Sequence, residues 1–256
     1  GKLVKVNINS FGPDVIIVGK VYKHLPSSGL LYFRQVNYKL SFGVNPYVLA
    51  IDSGNTSSFT SGSTNTTNLV NGTSGGTLIN GTSYSSANSG SWVLDGANDY
   101  ISTSFSGSFT TNATIVMWIQ LDVENPPSGT GGLLGFDDGG AVGPSYYTFY
   151  ADGKAYINVF RNNRIGPITL GSTVKTQPHM VTITTDGTDW KFYQNTSLIT
   201  TAVAQATVRL VLPYIGRGYY DVMFQGKVFQ FNLLNQALTA TQITNYYNAT
   251  RGRYGV

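Results

Sequence analysis

The chain is expected to fold as an all-β sandwich or jelly roll closed by one short helix near its C-terminus. Three observations point there. From Trp92 onward, short runs rich in Val, Ile, Thr, Tyr and Phe recur about every ten residues with turn residues between them, a pattern of many short strands. Helical periodicity appears only after Leu238. A length of 256 residues fits one large all-β domain, or one domain plus an arm, and can bury a substantial core.

Residues 1–45 stand apart. Leu3–Ile8, Val15–Tyr22, Leu30–Tyr38 and Lys39–Phe42 read as β segments, with turns at Gly12-Pro13, Ser27-Ser28-Gly29 and Gly43, and the stretch carries five of the nine lysines. It reads either as a β extension that adds strands to the main sheets or as an assembly arm that reaches a neighbour. The main domain is expected over residues 46–256. Between Asp52 and Ser91, 32 of 40 residues are Gly, Ser, Thr or Asn. Leu69-Val70 and Leu78-Ile79 recur there, each followed by Asn-Gly-Thr, which predicts two short strands with Asn-Gly turns. Strands then follow at Trp92–Leu94, Tyr100–Ser104, Thr114–Leu121, Gly132–Phe136, Tyr146–Ala151, Ala155–Arg161, Gly166–Leu170, His179–Thr184, Trp190–Gln194, Ser197–Ala202, Arg209–Ile215 and Lys227–Asn232.

The last quarter is the most specific. Asp186-Gly187-Thr188-Asp189 is a turn, because Asp caps its own backbone and Gly accepts positive φ, so Met180–Thr184 and Trp190–Tyr193 form a hairpin. Phe224–Phe231 alternates apolar and polar residues as a half-buried strand does. Thr239 with Gln242 is a capping box, and Leu238 with Ile243 a hydrophobic staple. The helix therefore starts near Ala240 and ends before Gly252.

This order resembles the laminin-G-like members of the concanavalin A-like lectin and glucanase superfamily. The turn-linked hairpin, Tyr214-Ile-Gly-Arg217, Phe224-Gln-Gly-Lys-Val228 and Leu238-Thr-Ala-Thr-Gln-Ile243 match its ending. Upstream, Val93-Leu-Asp-Gly-Ala-Asn-Asp-Tyr-Ile101 is similar to its Phe-Asp-Gly-x-x-Asp-Tyr-Val piece, and Thr114–Ile119 with Trp118 to its next core strand. The resemblance spans roughly Pro46 to Tyr247 and implies a concanavalin A-like β-sandwich jelly roll. Its flavour is that of bacteriophage structural proteins, with the ending Tyr246-Tyr-Asn-Ala-Thr-Arg-Gly-Arg-Tyr254. The chain departs from the family at Thr66–Gly72, where a Trp and an Asp are both missing.

Composition narrows the chemistry. The net charge of +4 is scattered, with no dense basic face interleaved with aromatics, so nucleic acid is not an expected partner. No apolar run is long enough to span a membrane. There is no Cys, one Glu (Glu124) and two His (His24 and His179), so no zinc-ligand spacing and no alternating-acid strand of a glycan hydrolase. No catalytic residue is assigned, and the protein is expected not to be an enzyme. Asp137, Asp138 and Asp221 read either as turn-capping acids or as ligands for calcium, which many relatives bind through loop carboxylates. Asp95 and Asp99 read as turn residues.

The 17 tyrosines supply flat apolar faces with hydroxyls, suited to stacking on sugars and to protein interfaces alike. The doublets Tyr146-Tyr147 and Tyr219-Tyr220, with Arg217 in its Gly-flanked loop, are the candidate ligand-binding residues. The expected function is a non-enzymatic virion protein of a bacteriophage: a capsid decoration, head-fibre or tail component. It would contact other capsid or tail proteins, form a homo-oligomer with a trimer expected, and bind host or environmental glycans. The alternative is an extracellular location, as a secreted bacterial carbohydrate-binding or adhesion module.

Overall fold

A computed structural model describes residues 21–25, 30–33, 45–105, 112–122, 130–135, 146–150, 154–158, 164–169, 177–203, 214–218 and 223–256, with side chains described in 45–105, 112–122, 177–201, 214–218 and 223–256. The chain divides into two compact units, Gly1–Asn45 and Pro46–Val256. In the first, β1 (Val21–Leu25) and β2 (Leu30–Phe33) pair antiparallel.

The second unit holds β3 (Tyr47–Asp52), β4 (Asn65–Thr67), β5 (Ser74–Ile79), β6 (Ser83–Ser85), β7 (Ser91–Asp95), β8 (Tyr100–Thr103), β9 (Ala113–Leu121), β10 (Thr130–Gly135), β11 (Tyr146–Tyr150), β12 (Lys154–Asn158), β13 (Arg164–Thr169), β14 (His179–Thr185), β15 (Asp189–Gln194), β16 (Ser197–Val203), β17 (Tyr214–Ile215) and β18 (Gln225–Leu234), then helix α1 (Ala240–Thr250). One sheet runs β13-β12-β11-β10-β17-β8-β5-β4. The other runs β16-β15-β14-β9-β18-β7-β6, with β3 also on β18. This is the expected all-β sandwich with one short C-terminal helix.

Side-chain alternation builds the core between the sheets. Leu78, Ile101 and Ile215 come from the first sheet, and Leu49, Ile51, Trp92, Ile115, Met117, Ile119, Val181, Phe192 and Phe231 from the second. The outer face of the second sheet is covered too. Val116, Trp118, Met180, Tyr193, Phe229 and Leu234 pack with Ile243 of α1 and Tyr254 of the tail. Burial on both faces explains why Ala113–Leu121 reads as a nearly continuous apolar run. A bulge in β18 between Val228 and Gln230 leaves Val228 and Phe231 inside while turning Phe229 outward, where its ring meets Tyr254 at 5.3 Å.

The helix forms as its local sequence dictates. Thr239 Oγ1 accepts from the Gln242 backbone N–H, and Gln242 Oε1 accepts from the Thr239 N–H, closing the capping box. Trp118, fully buried, donates its indole N–H to Thr250 Oγ1 at 3.1 Å and packs against Tyr247 and Tyr254. Arg253 then grips the buried Asp52 with two nitrogens, Nη1 on Oδ2 and Nη2 on Oδ1, a fork geometry suited to a carboxylate.

Leu69 and Val70 do not form the expected strand. They lie in a turn after β4, where the Leu69 N–H donates to the Ala50 carbonyl at 2.9 Å. Asn68 explains the difference. Its buried amide accepts from Ala50 N and donates to Val48 O, so this segment caps the side of β3 without extending the ladder.

Candidate functional site

The register of the first sheet separates two rows. Leu78, Ile101, Ile215 and Leu134 are successive cross-strand partners, and the first three are buried in the core. The neighbouring row, Thr77, Ser102, Tyr214 and Gly135, belongs to the opposite, outer face. Tyr100, two residues before Ser102, shares that face. The Tyr100 and Tyr214 rings meet edge to face, with centroids 5.3 Å apart and planes at 86°.

Arg217 completes the cluster. The chain reverses at Gly216, whose φ of +87° suits glycine, and an added Cβ would lie 2.0 Å from Leu94 Cδ2. Past that turn, the Arg217 guanidinium lies 5.0 Å from the Tyr100 centroid and 4.8 Å from that of Tyr214, within cation–π range of both. The segment is anchored at its base, where Arg217 bridges Met223 and Phe224 N donates to Gly216 O at 2.9 Å. The result is a braced, partly exposed aromatic surface. Beside it, Thr77 Oγ1 donates to Asn65 Oδ1 at 3.1 Å, which adds a polar edge.

Of the residues singled out from the sequence, Arg217 is in this cluster. Tyr146 is the register partner of Gly135, so it continues the row of Tyr214. Tyr147 is the partner of Leu134 and stands in the row of Ile215 and Ile101. Tyr219, Tyr220, Asp221, Asp137 and Asp138 lie outside the described residues. Tyr100 and Tyr214 were not singled out from the sequence. Each precedes a core isoleucine, so strand alternation already placed both on the outer face.

Five of the six described aspartates, Asp52, Asp95, Asp99, Asp122 and Asp186, hold local structure with their carboxylates. Asp95 Oδ1 accepts from Ala97 N and Asn98 N, and Asp99 Oδ2 from Asp95 N, as expected of turn residues. Burial, then the neighbouring Asp95 carboxylate, raises Asp99 above the ordinary carboxylate value. Asp186 accepts from Thr188 N and Asp189 N, which hold its pKa down. Asp122 pairs with Lys227 at 3.1 Å, and Asp52 holds Arg253. Asp189 opens β15. Among the described residues, no group of three or more His, Cys, Asp or Glu could hold a metal ion, and no helix is long and apolar enough to cross a membrane.

His179 is buried on the inner side of β14, and neither ring nitrogen makes a well-formed hydrogen bond. Burial lowers its pKa to about 4, and a weak contact with the Gln177 backbone offsets only part of that. It is a neutral core residue.

The fold is shared with solved structures of low sequence identity. Trypanosoma rangeli sialidase in complex with the inhibitor DANA matches at a TM-score of 0.58 and 13% identity, over 78% of this chain and 32% of that one. The botulinum neurotoxin serotype D binding domain matches at 0.59 and 13%, over 79% and 51%. The serotype D ligand binding domain in complex with N-acetylneuraminic acid matches at 0.57 and 13%, over 79% and 50%. This chain thus spans about a third of the sialidase and half of the toxin chains. No curated protein matches it in sequence. The laminin-G-like family model described as "Concanavalin A-like lectin/glucanases superfamily" matches residues 95–244. That is more than half of the 256 residues, and it covers the Tyr100–Tyr214–Arg217 cluster and the start of α1: the chain belongs to the concanavalin A-like lectin/glucanase superfamily.

Proposed function

We propose that the protein is a non-enzymatic structural component of a bacteriophage virion, a capsid decoration, head-fibre or tail protein, whose sandwich binds surface glycans. The observation that carries the glycan part is the braced Tyr100–Tyr214–Arg217 cluster on an outer sheet face. A sugar ring presents an apolar C–H face that stacks on tyrosine, while neighbouring hydroxyls take polar partners. Tyr146, in the row of Tyr214, continues the candidate surface, while Tyr147, Tyr219 and Tyr220 stay candidates on the sequence alone. Sialylated glycans are the first to test, since a toxin domain of this fold is known in complex with N-acetylneuraminic acid.

The virion part is supported by the Cys-free sequence rich in Gly, Ser, Thr and Asn and by the separate unit of residues 1–45. Such proteins assemble with capsid or tail partners as closed homo-oligomers. The non-enzymatic part is supported by the single Glu and by the turn and ion-pair duties of the described aspartates. Calcium held by Asp137, Asp138 and Asp221 remains a proposal for direct titration.

A glycan array of sialylated and neutral polysaccharides tests the binding part. Binding is expected, and Tyr214→Ala is expected to weaken it about tenfold with the fold retained. No binding at high protein concentration sinks that part. Cryo-EM of native particles tests the virion part, which fails if the chain occupies no site on them. A secreted carbohydrate-binding or adhesion module is the second reading, favoured by the likeness to a toxin binding domain. It predicts glycan binding by a chain recovered from the medium and absent from particles.

A further inference from the structure

The sequence holds two Asn-Gly dipeptides, Asn71-Gly72 and Asn80-Gly81, each followed by Thr. Both lie in turns, and all four residues are exposed. Both glycines have positive φ, +74° at Gly72 and +96° at Gly81, and a Cβ built on either would meet nothing within 4 Å. Asn-Gly is the pairing in which a side-chain amide is most open to attack by the next peptide nitrogen, because glycine puts no Cβ in the way. By sequence the two sites are equivalent. Their hydrogen bonds are not.

Asn71 is braced on both sides. The Gly72 N–H, which would have to attack, donates to Asn68 O at 2.8 Å, and Asn68 N donates to Thr73 O at 2.8 Å. Thr73 N and Thr73 Oγ1 both donate to Asn71 Oδ1, at 3.1 and 2.7 Å, and fix the side chain. Asn80 sits between β5 and β6 in a looser turn. Its backbone closure is one long bond, Thr82 N to Ile79 O at 3.4 Å, helped by Thr82 Oγ1 on the same carbonyl at 3.0 Å. Among the described residues, the Gly81 N–H has no hydrogen-bond partner. The Asn80 side chain makes one bond, from Nδ2 to Asn98 O at 3.0 Å. Asn80 is held at φ +59°, a region that side chains other than glycine occupy at a cost. Attack requires it to rotate out of that region, and the weak closure permits this.

We propose that Asn80 is a self-modification site of the folded protein, at which the side-chain amide is lost, and that Asn71 is protected from the same reaction. The Gly81 nitrogen bonds to Asn80 Cγ and gives up its proton. The Cγ–Nδ2 bond breaks, and the amide nitrogen leaves with that proton as ammonia. The product is a cyclic imide. Water then opens one of its two carbonyls, leaving either Asp or isoaspartate at position 80. No oxidant or cofactor takes part. The new carboxylate cannot donate, so the bond to Asn98 O is lost. Asn98 lies two residues before Tyr100, in the turn between β7 and β8. Modification therefore unties that turn from the β5–β6 turn and adds a negative charge to the surface. Glycan binding plays no part in the reaction.

The test is peptide mapping with isoaspartate detection on the full chain held at mildly alkaline pH, both folded and in urea, alongside Asn80→Gln. In the folded chain Asn80 is expected to convert at least about tenfold faster than Asn71, the protection that one or two additional hydrogen bonds give a closed turn. In urea the two rates are expected to converge, since both sites read Asn-Gly-Thr. Asn80→Gln, whose longer side chain closes the ring poorly, is expected to remove the major product and leave Asn71 unchanged. Three results overturn the proposal: folded-state conversion of Asn71 as fast as that of Asn80, a difference between the sites that persists in urea, or an Asn80 that stays intact in the folded chain while the unfolded chain is converted.

Discussion

The largest single acid sensitivity of this protein should come from His179. In the folded state its pKa lies at about 4, against an ordinary 6.5, because burial disfavours the imidazolium. Between those values the unfolded chain binds a proton that the folded chain does not. Stability therefore rises with pH across that window and is lost as pH falls from about 6.5 toward 4. At 1.36 kcal/mol per pKa unit, the 2.5-unit gap amounts to about 3 kcal/mol at the acid end. That is a large share of the roughly 5–15 kcal/mol that holds a typical domain folded. Urea unfolding at several pH values measures it. Other acid-sensitive groups also shape the raw curve, so the decisive quantity is the difference from His179→Leu, in which all of them remain. The wild type should lose about 3 kcal/mol more than the variant between pH 7 and 4. Parallel curves for the two proteins would refute the argument.

Two further predictions concern the closing tail. Arg253→Ala strands the buried Asp52 carboxylate and should cost about 2–3 kcal/mol by urea unfolding, toward the low end for a broken buried pair because Arg253 keeps some solvent contact. Arg253→Lys should recover only part, since a single ammonium cannot reproduce the two-pronged grip. Thr250→Val removes the acceptor of the fully buried Trp118 indole and should cost about 1–2 kcal/mol, with altered tryptophan fluorescence. An unchanged midpoint in either case would mean that the tail is not stabilised by these contacts.

Features set by a few neighbouring residues were legible in the sequence. The helix, its capping box and the Asp186–Asp189 turn each depend on groups within four positions of one another. Leu69-Val70 misled because two apolar residues before Asn-Gly look the same in a strand and in a turn. What decided their conformation was the Asn68 side chain reaching Val48 and Ala50, a long-range contact invisible to a local pattern. The Tyr100–Tyr214 pair failed to show for a related reason. Alternation assigns each ring to an outer face, but nothing local says that β8 and β17 are neighbours in the sheet. Flanking glycines mark Arg217 in the sequence, but its two aromatic partners follow only from the register of β8 and β17.

The place of β18 has a consequence for how the protein is made. It sits inside its sheet, against β9 along one side and against β7 and β3 in tandem along the other. Yet it comes after every other described strand of this sandwich in chain order. While it is still in the ribosome, β3, β7 and β9 expose the edges that it will join, and the outer face around Trp118 lacks its cover. Local-first folding is closed to such a design, and long-range pairing is slow. The nascent chain therefore has a period of open edges and bare apolar surface, when aggregation competes with folding. Its scarcity of charge gives little electrostatic protection in that interval. The yield of native protein should depend more on conditions late in synthesis than on the final stability of the sandwich.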